Sequence, residues 1–69
     1  MKKTIRLQLT NQHFVDKTPA ELLYILRDAR EAADAMRGWD AVAEAKYLEQ
    51  IDDAATVLAA IRRGQKPVT

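Results

Sequence analysis

Met36-Arg37-Gly38-Trp39-Asp40-Ala41 decides the fold. Gly38 is the residue type that ends a helix in the left-handed conformation, and Asp40 carries the short carboxylate that opens the next helix by accepting its first amide N–H groups. Only Gly38 and Trp39 separate the two signals, so helices over about residues 19–37 and 41–63 are expected to turn back on each other as an antiparallel hairpin. Their outer ends are punctuated as well. Thr18-Pro19-Ala20-Glu21 places Thr at the N-cap, Pro at the first helical position and Glu at the third, so that Thr18 and Glu21 can satisfy each other's orphaned amides. Arg62-Arg63-Gly64 closes the second helix and Pro67 prevents its resumption, leaving residues 64–69 as an expected frayed tail.

The first helix carries Leu22, Ile25, Leu26, Ala29, Ala33 and Met36 at spacings of three and four, opposed by Arg27, Arg30, Glu31, Asp34 and Arg37. Leu23 and Tyr24 widen this stripe beyond what one hairpin partner covers. In the second helix the same period selects Ala41, Ala45, Leu48, Ile51, Ala55, Leu58 and Ile61, broadened by Tyr47, Ala54 and Val57. Upstream, residues 4–10 alternate, with Ile5, Leu7 and Leu9 on one face and Thr4, Arg6, Gln8 and Thr10 on the other, as in a half-buried strand. The connector from Asn11 to Lys17 is polar apart from Phe14 and Val15, which are expected to plug the end of the core.

A strand without a partner leaves its backbone groups unsatisfied. With no second strand pattern legible, pairing with the same strand of a second copy gives a two-fold homodimer, and docking on a target's sheet edge is the rival. Size points the same way, because a chain of 69 residues rarely gains more than ~3–5 kcal/mol from one core, and without cysteine it lacks disulfide or thiolate–zinc support. The expected architecture is therefore a single mainly α domain over residues 1–69: a hairpin preceded by a short N-terminal strand, paired in a homodimer.

Composition excludes several chemistries. There is no serine or cysteine to serve as nucleophile, and His13 is the lone histidine, without neighbours at metal-ligand spacing. We read the chain as non-enzymatic, with no cofactor and no metal. Eleven Lys and Arg against ten Asp and Glu give a net charge of +1, which makes no bulk case for nucleic acid or an anionic membrane. The longest apolar run, Leu22 to Leu26, is far short of the ~20 residues that span a bilayer. No apolar stretch follows Met1-Lys2-Lys3, so a cytoplasmic location is expected.

Candidate binding residues follow from side-chain chemistry. Trp39, in the tight turn, either caps the hairpin core or projects as an interface anchor. Tyr24 and Tyr47 flank the stripes and suit packing or recognition, burying rings while keeping hydroxyls wet. Glu49, Asp52 and Asp53 form an acidic cluster on the second helix, suited to solvation or to meeting a basic partner surface; without a dedicated loop it does not suit Ca²⁺. Lys2, Lys3 and Arg6 make one basic patch, and Arg62, Arg63 and Lys66 another at the far end of the chain.

Over its whole length, in its size and in the capped hairpin around Gly38-Trp39-Asp40, the chain resembles the small phage-encoded quorum-sensing anti-activators of Mu-like Pseudomonas phages. The resemblance implies a homodimer in the host cytoplasm that binds and inhibits a LuxR-type transcriptional activator, with a type IV pilus assembly ATPase as a second target. In outline the chain is also similar to the ribbon-helix-helix repressors. That alternative makes it a DNA-binding regulator whose Thr4, Arg6 and Gln8 enter a major groove from a two-stranded ribbon. The connector at 11–17 and the long first helix depart from that family's compact unit.

Overall fold

In the computed structural model, which describes residues 3–68, the chain runs through strand β1 (Lys3–Arg6), a 3-10 helix (Gln12–Asp16), helix α1 (Pro19–Met36), helix α2 (Ala41–Arg62) and strand β2 (Gln65–Val68). Local chemistry fixes the helix ends. At the start of α1 the Thr18 N–H donates to Glu21 Oε1 at 2.9 Å and the Glu21 N–H donates to Thr18 Oγ1 at 3.2 Å, closing the reciprocal cap. The helix ends where Gly38 takes φ +79°, and Asp40 Oδ1 then accepts from the Val42 and Ala43 N–H groups at 3.1 and 3.0 Å. Gly64 repeats the left-handed exit after α2, at φ +78°.

The glycine exit at 64 leads into a strand, and here the structure corrects the reading of residues 64–69 as a frayed tail. Gln65–Val68 pairs in parallel with Lys3–Arg6, with Lys3 opposite Gln65 and Arg6 opposite Val68; Thr69 and Lys2 lie outside the described residues. The N-terminal strand therefore finds its partner in its own chain, which removes the unpaired strand as a reason for dimerisation. The rung from the Leu7 N–H to the Val68 carbonyl, 3.0 Å, sets the alternation of the ladder. It turns the amide nitrogen of Pro67 away from β1, so the missing proline donor costs the sheet nothing. β1 spans four residues, Lys3–Arg6, shorter than the expected stretch 4–10, and Leu9 beyond it is buried in the core.

The core lies where the sheet end meets the helices. Leu22 and Leu26 of α1 pack with Ala54, Val57 and Leu58 of α2, and Leu9 and Phe14 close the cluster from the connector. The apolar stripe of α1 faces this core: Leu22, Leu26, Ala29 and Ala33 are buried. In α2 the side facing the core differs from the periodic one. Asp53, Ala54, Val57, Leu58 and Ala60 are buried, whereas Ala41, Ala45 and Ala55 are exposed and Leu48 is 52% exposed. The reason is tertiary, since α2 packs against the strand layer and the 3-10 helix as well as α1, and its buried residues, all from Asp53 onward, answer to these neighbours together.

Asp53 holds the N-terminal segment to α2. Its carboxylate, 4% exposed, accepts the Asn11 N–H at 2.7 Å, the Asn11 side-chain amide at 2.9 Å and, more weakly, the Thr10 N–H at 3.4 Å. A buried carboxylate is tolerated when hydrogen bonds replace its water, and these donors do so.

Two predictions follow from these contacts. Asp53→Ala should destabilise the fold by about 2 kcal/mol, a fall in Tm of roughly 8–16 °C for a domain of this size, while Asp52→Ala next to it stays within about 0.5 kcal/mol; thermal denaturation by circular dichroism compares them. The Glu21 carboxyl is held below its usual range by the Thr18 N–H it accepts, then by the Thr18 side chain, with Lys17 adding to the effect. Because its folded pKa is lowered, the cap's contribution is present above the unfolded value and lost as pH falls through the folded one. An acid titration of Glu21→Gln should therefore show less stability lost on acidification than the parent.

Candidate interaction surface

The connection between α1 and α2 presents the largest exposed ring in the molecule. The Trp39 N–H donates to the Met36 carbonyl at 3.0 Å, and the Asp40 N–H donates to the same carbonyl at 3.1 Å. Gly38 before and the Asp40 cap after fix the backbone on both sides, and the Trp39 side chain stands 88% exposed. Of the two sequence readings of Trp39, the cap on the core is corrected: the ring is solvent-exposed and covers no buried residue. Val42, one helical turn on, is 69% exposed and extends the apolar surface, a residue that periodicity alone did not single out. Its signal was proximity to Trp39 on the first turn of a capped helix.

Beside the turn, a groove runs between the helices. Ala33 is its buried floor, Leu48 and Ile51 form one wall, and Arg30, Asp34 and Arg37 of α1 face Glu44 of α2 across its rim. Arg37 pairs with Asp34 at 3.6 Å, an exposed contact of little energetic weight. The exposed stripe Ala41, Ala45 and Leu48 belongs to this same half of α2.

The remaining candidates divide. Tyr24 is 70% exposed beside Leu23, 50% exposed, on the first turns of α1, while Tyr47 is half-buried. Glu49 and Asp52 are exposed, but Asp53 is not part of an acidic face; its carboxylate is spent on the Asn11 and Thr10 donors. An acidic partner-binding cluster of Glu49, Asp52 and Asp53 therefore reduces to Glu49 and Asp52. Thr4, Arg6 and Gln8 are exposed on the outer side of the strand layer, and no group of three or more potential metal ligands occurs among the described residues. His13 is exposed, edge-on to the Phe14 ring at 4.8 Å. No helix is long and apolar enough to cross a membrane among the described residues.

Sequence spacing missed one juxtaposition. The parallel pairing of β1 with β2 brings Lys3 and Arg6 of one basic patch to the same end of the molecule as Lys66 of the other.

The exposure of Trp39 makes its energetic role testable. Trp39→Ala should leave thermal stability within about 0.5 kcal/mol of the parent, because truncating a solvated side chain neither opens a cavity nor strands a polar group. Tryptophan fluorescence of the folded parent should report a solvated indole and respond fully to a soluble quencher. The chain matches no family model, no curated protein and no solved structure.

Proposed function

We propose that the chain is a non-enzymatic protein-interaction module: a homodimer of antiparallel helical hairpins that binds a host regulatory protein and occludes its functional surface. The observation that carries this reading is the 88% exposed Trp39 on a turn fixed from both sides. Tryptophan is enriched among residues that dominate binding energy, and a pre-ordered backbone lowers the entropy lost when it docks. The targets are those the resemblance implies, a LuxR-type transcriptional activator and a type IV pilus assembly ATPase, met in the host cytoplasm. Trp39 and Val42 anchor the target; Tyr24, Tyr47, Glu49 and Asp52 supply the surrounding contacts.

Surface area supports the homodimer. The accessible surface is 5078 Å², against about 4,400 Å² for a compact monomer of this mass. The surplus, about 700 Å², goes with an elongated shape of 46 × 20 × 15 Å that leaves apolar side chains such as Leu48 uncovered. The groove is lined by both signs of charge, Arg30, Arg37, Glu31, Asp34 and Glu44, around the apolar Leu48 and Ile51, a surface that a second copy can cover about a two-fold axis. Ala41 and Ala45 permit the close helix approach that such a seam requires.

Sedimentation velocity at micromolar concentration should give twice the 7.8 kDa chain mass, and Leu48→Glu should give the single-chain mass with helicity retained. In a DNA-binding assay of a purified LuxR-type activator, the parent should release the activator from its operator. Trp39→Ala should need at least tenfold more protein while sedimenting as the dimer. A monomeric parent would remove the dimer, and an unaffected activator would remove the target.

A further inference from the structure

A two-stranded sheet has two outer edges, and the register of this ladder makes them unlike. The Leu7 N–H donates to the Val68 carbonyl, so Leu7 and Ile5 turn their backbone groups toward β2, and the alternation turns the N–H and C=O groups of Thr4 and Arg6 the other way. Among the described residues the sheet holds β1 and β2 alone, and no turn, loop or side-chain hydrogen bond reaches the backbone of Thr4 or Arg6. The outer edge of β2 is closed. Its outward groups belong to Gln65 and Pro67, the proline has no N–H to offer, and the 3-10 helix packs beside it, with Val15 and Asp16 sharing a shallow groove with Pro67 and Val68.

Side chains mark the open edge as well. On the inner row Ile5 and Leu7 are only half-buried, so apolar surface along β1 is still uncovered. On the outer row Arg6 is exposed, and Lys66, opposite Thr4, stands one strand further on. The two strands carry Lys3, Arg6 and Lys66 and no carboxylate. The ion pairs among the described residues, Arg27–Glu31 and Arg37–Asp34, involve none of these cations.

We infer that the open edge of β1 is a strand-addition site for an extended acidic segment of a partner protein, one that alternates carboxylates with apolar side chains. Main-chain hydrogen bonds to Thr4 and Arg6 set the register of the incoming strand, its apolar side chains complete the cover of Ile5 and Leu7, and its carboxylates meet Arg6 and Lys66 on the outer face. A second copy of β1 is a poorer occupant, because it sets these cations beside their like where a carboxylate is wanted. The site is built from strand backbone at the sheet end and uses neither Trp39 nor the groove between the helices.

A fluorescein-labelled peptide alternating glutamate with valine tests the site by amide exchange and fluorescence anisotropy. In the free protein the Ile5 amide should be protected and those of Thr4 and Arg6 should exchange freely; saturating peptide should slow Thr4 and Arg6 at least tenfold. Thr4→Pro removes an outward N–H without touching the ladder, and should weaken the peptide at least tenfold with circular dichroism unchanged, whereas Thr4→Ala keeps the donor and should bind as the parent does. Arg6→Glu with Lys66→Glu should shift the preference to a peptide alternating lysine with valine. The inference is overturned if the glutamate–valine peptide does not bind, if the same residues arranged as separate glutamate and valine blocks bind equally well, or if folded Thr4→Pro binds as Thr4→Ala does. Conversion of a dimeric parent to single chains by Thr4→Pro also overturns it, by assigning the edge to a second copy. Trp39→Ala and Leu48→Glu should leave peptide binding unchanged, so the two interaction surfaces stand or fall separately.

Discussion

The arrangement of this small domain depends on the hydrogen bonds between the Asp53 carboxylate and Asn11. They fix the point at which the N-terminal segment crosses α2, and from that point the chain in one direction becomes β1 and in the other becomes the 3-10 helix that buries Phe14. An isolated two-stranded sheet is at best marginally stable in water, and a parallel pair has slanted, slightly weaker bonds. The ladder between β1 and β2 persists because the inner row, Ile5 and Pro67, is set against the helical layer. Asp53 lies between a local interaction and a long-range one: a single side chain aligns residues 42 and 43 positions away in sequence. The entropic cost of closing that loop is also met by the buried Leu9, Phe14, Val57 and Leu58 around it.

What was legible in the sequence follows the range of the interaction. Capping is a matter of three or four residues, so Thr18-Pro19-Ala20-Glu21 and Gly38-Trp39-Asp40 specify their own geometry wherever the rest of the chain goes. The stripe of α1 was readable because that helix has one principal neighbour. α2 answers to α1, the 3-10 helix and the strand layer together, so a single period cannot describe it, and Ala41, Ala45 and Ala55 emerge exposed. Asp53 was obscured by its neighbour Asp52, which suggested a common acidic face. The discriminating signal was phase, since Asp53, Val57 and Ala60 are spaced by four and three and so share a side of the helix. β2 was hidden for a different reason. Gln65-Lys66-Pro67-Val68 has no apolar alternation, contains proline, and acquires its structure only by pairing with residues at the other end of the chain.

The same long-range pairing separates the surface into two regions. With β1 satisfied on one side by β2, the argument for self-association moves from unpaired strand hydrogen bonds to uncovered apolar area on the turn-proximal half of α2. At the other end, Lys3, Arg6 and Lys66, from termini that look like ordinary solubilising segments, are brought together when the strands align. Exposed Trp39, Val42 and Leu48 are thus segregated toward the turn of a molecule 46 Å long, whereas Leu23 and Tyr24 are exposed on the first turns of α1.

That segregation bears on why Trp39 is tolerated in so exposed a position. A flexible loop carrying a tryptophan would gain little from it on binding, because ordering the loop would consume much of the interaction. Here Gly38 and Asp40 have already fixed the backbone through helix capping, so the ordering was completed during folding and its cost is shared with the stability of both helices. In the proposed binding role, the indole would have only its own side-chain torsions left to restrict, which is what makes a capped turn a favourable place for it. The turn that makes the two helices possible is, by the same hydrogen bonds, the platform that presents their most adhesive side chain.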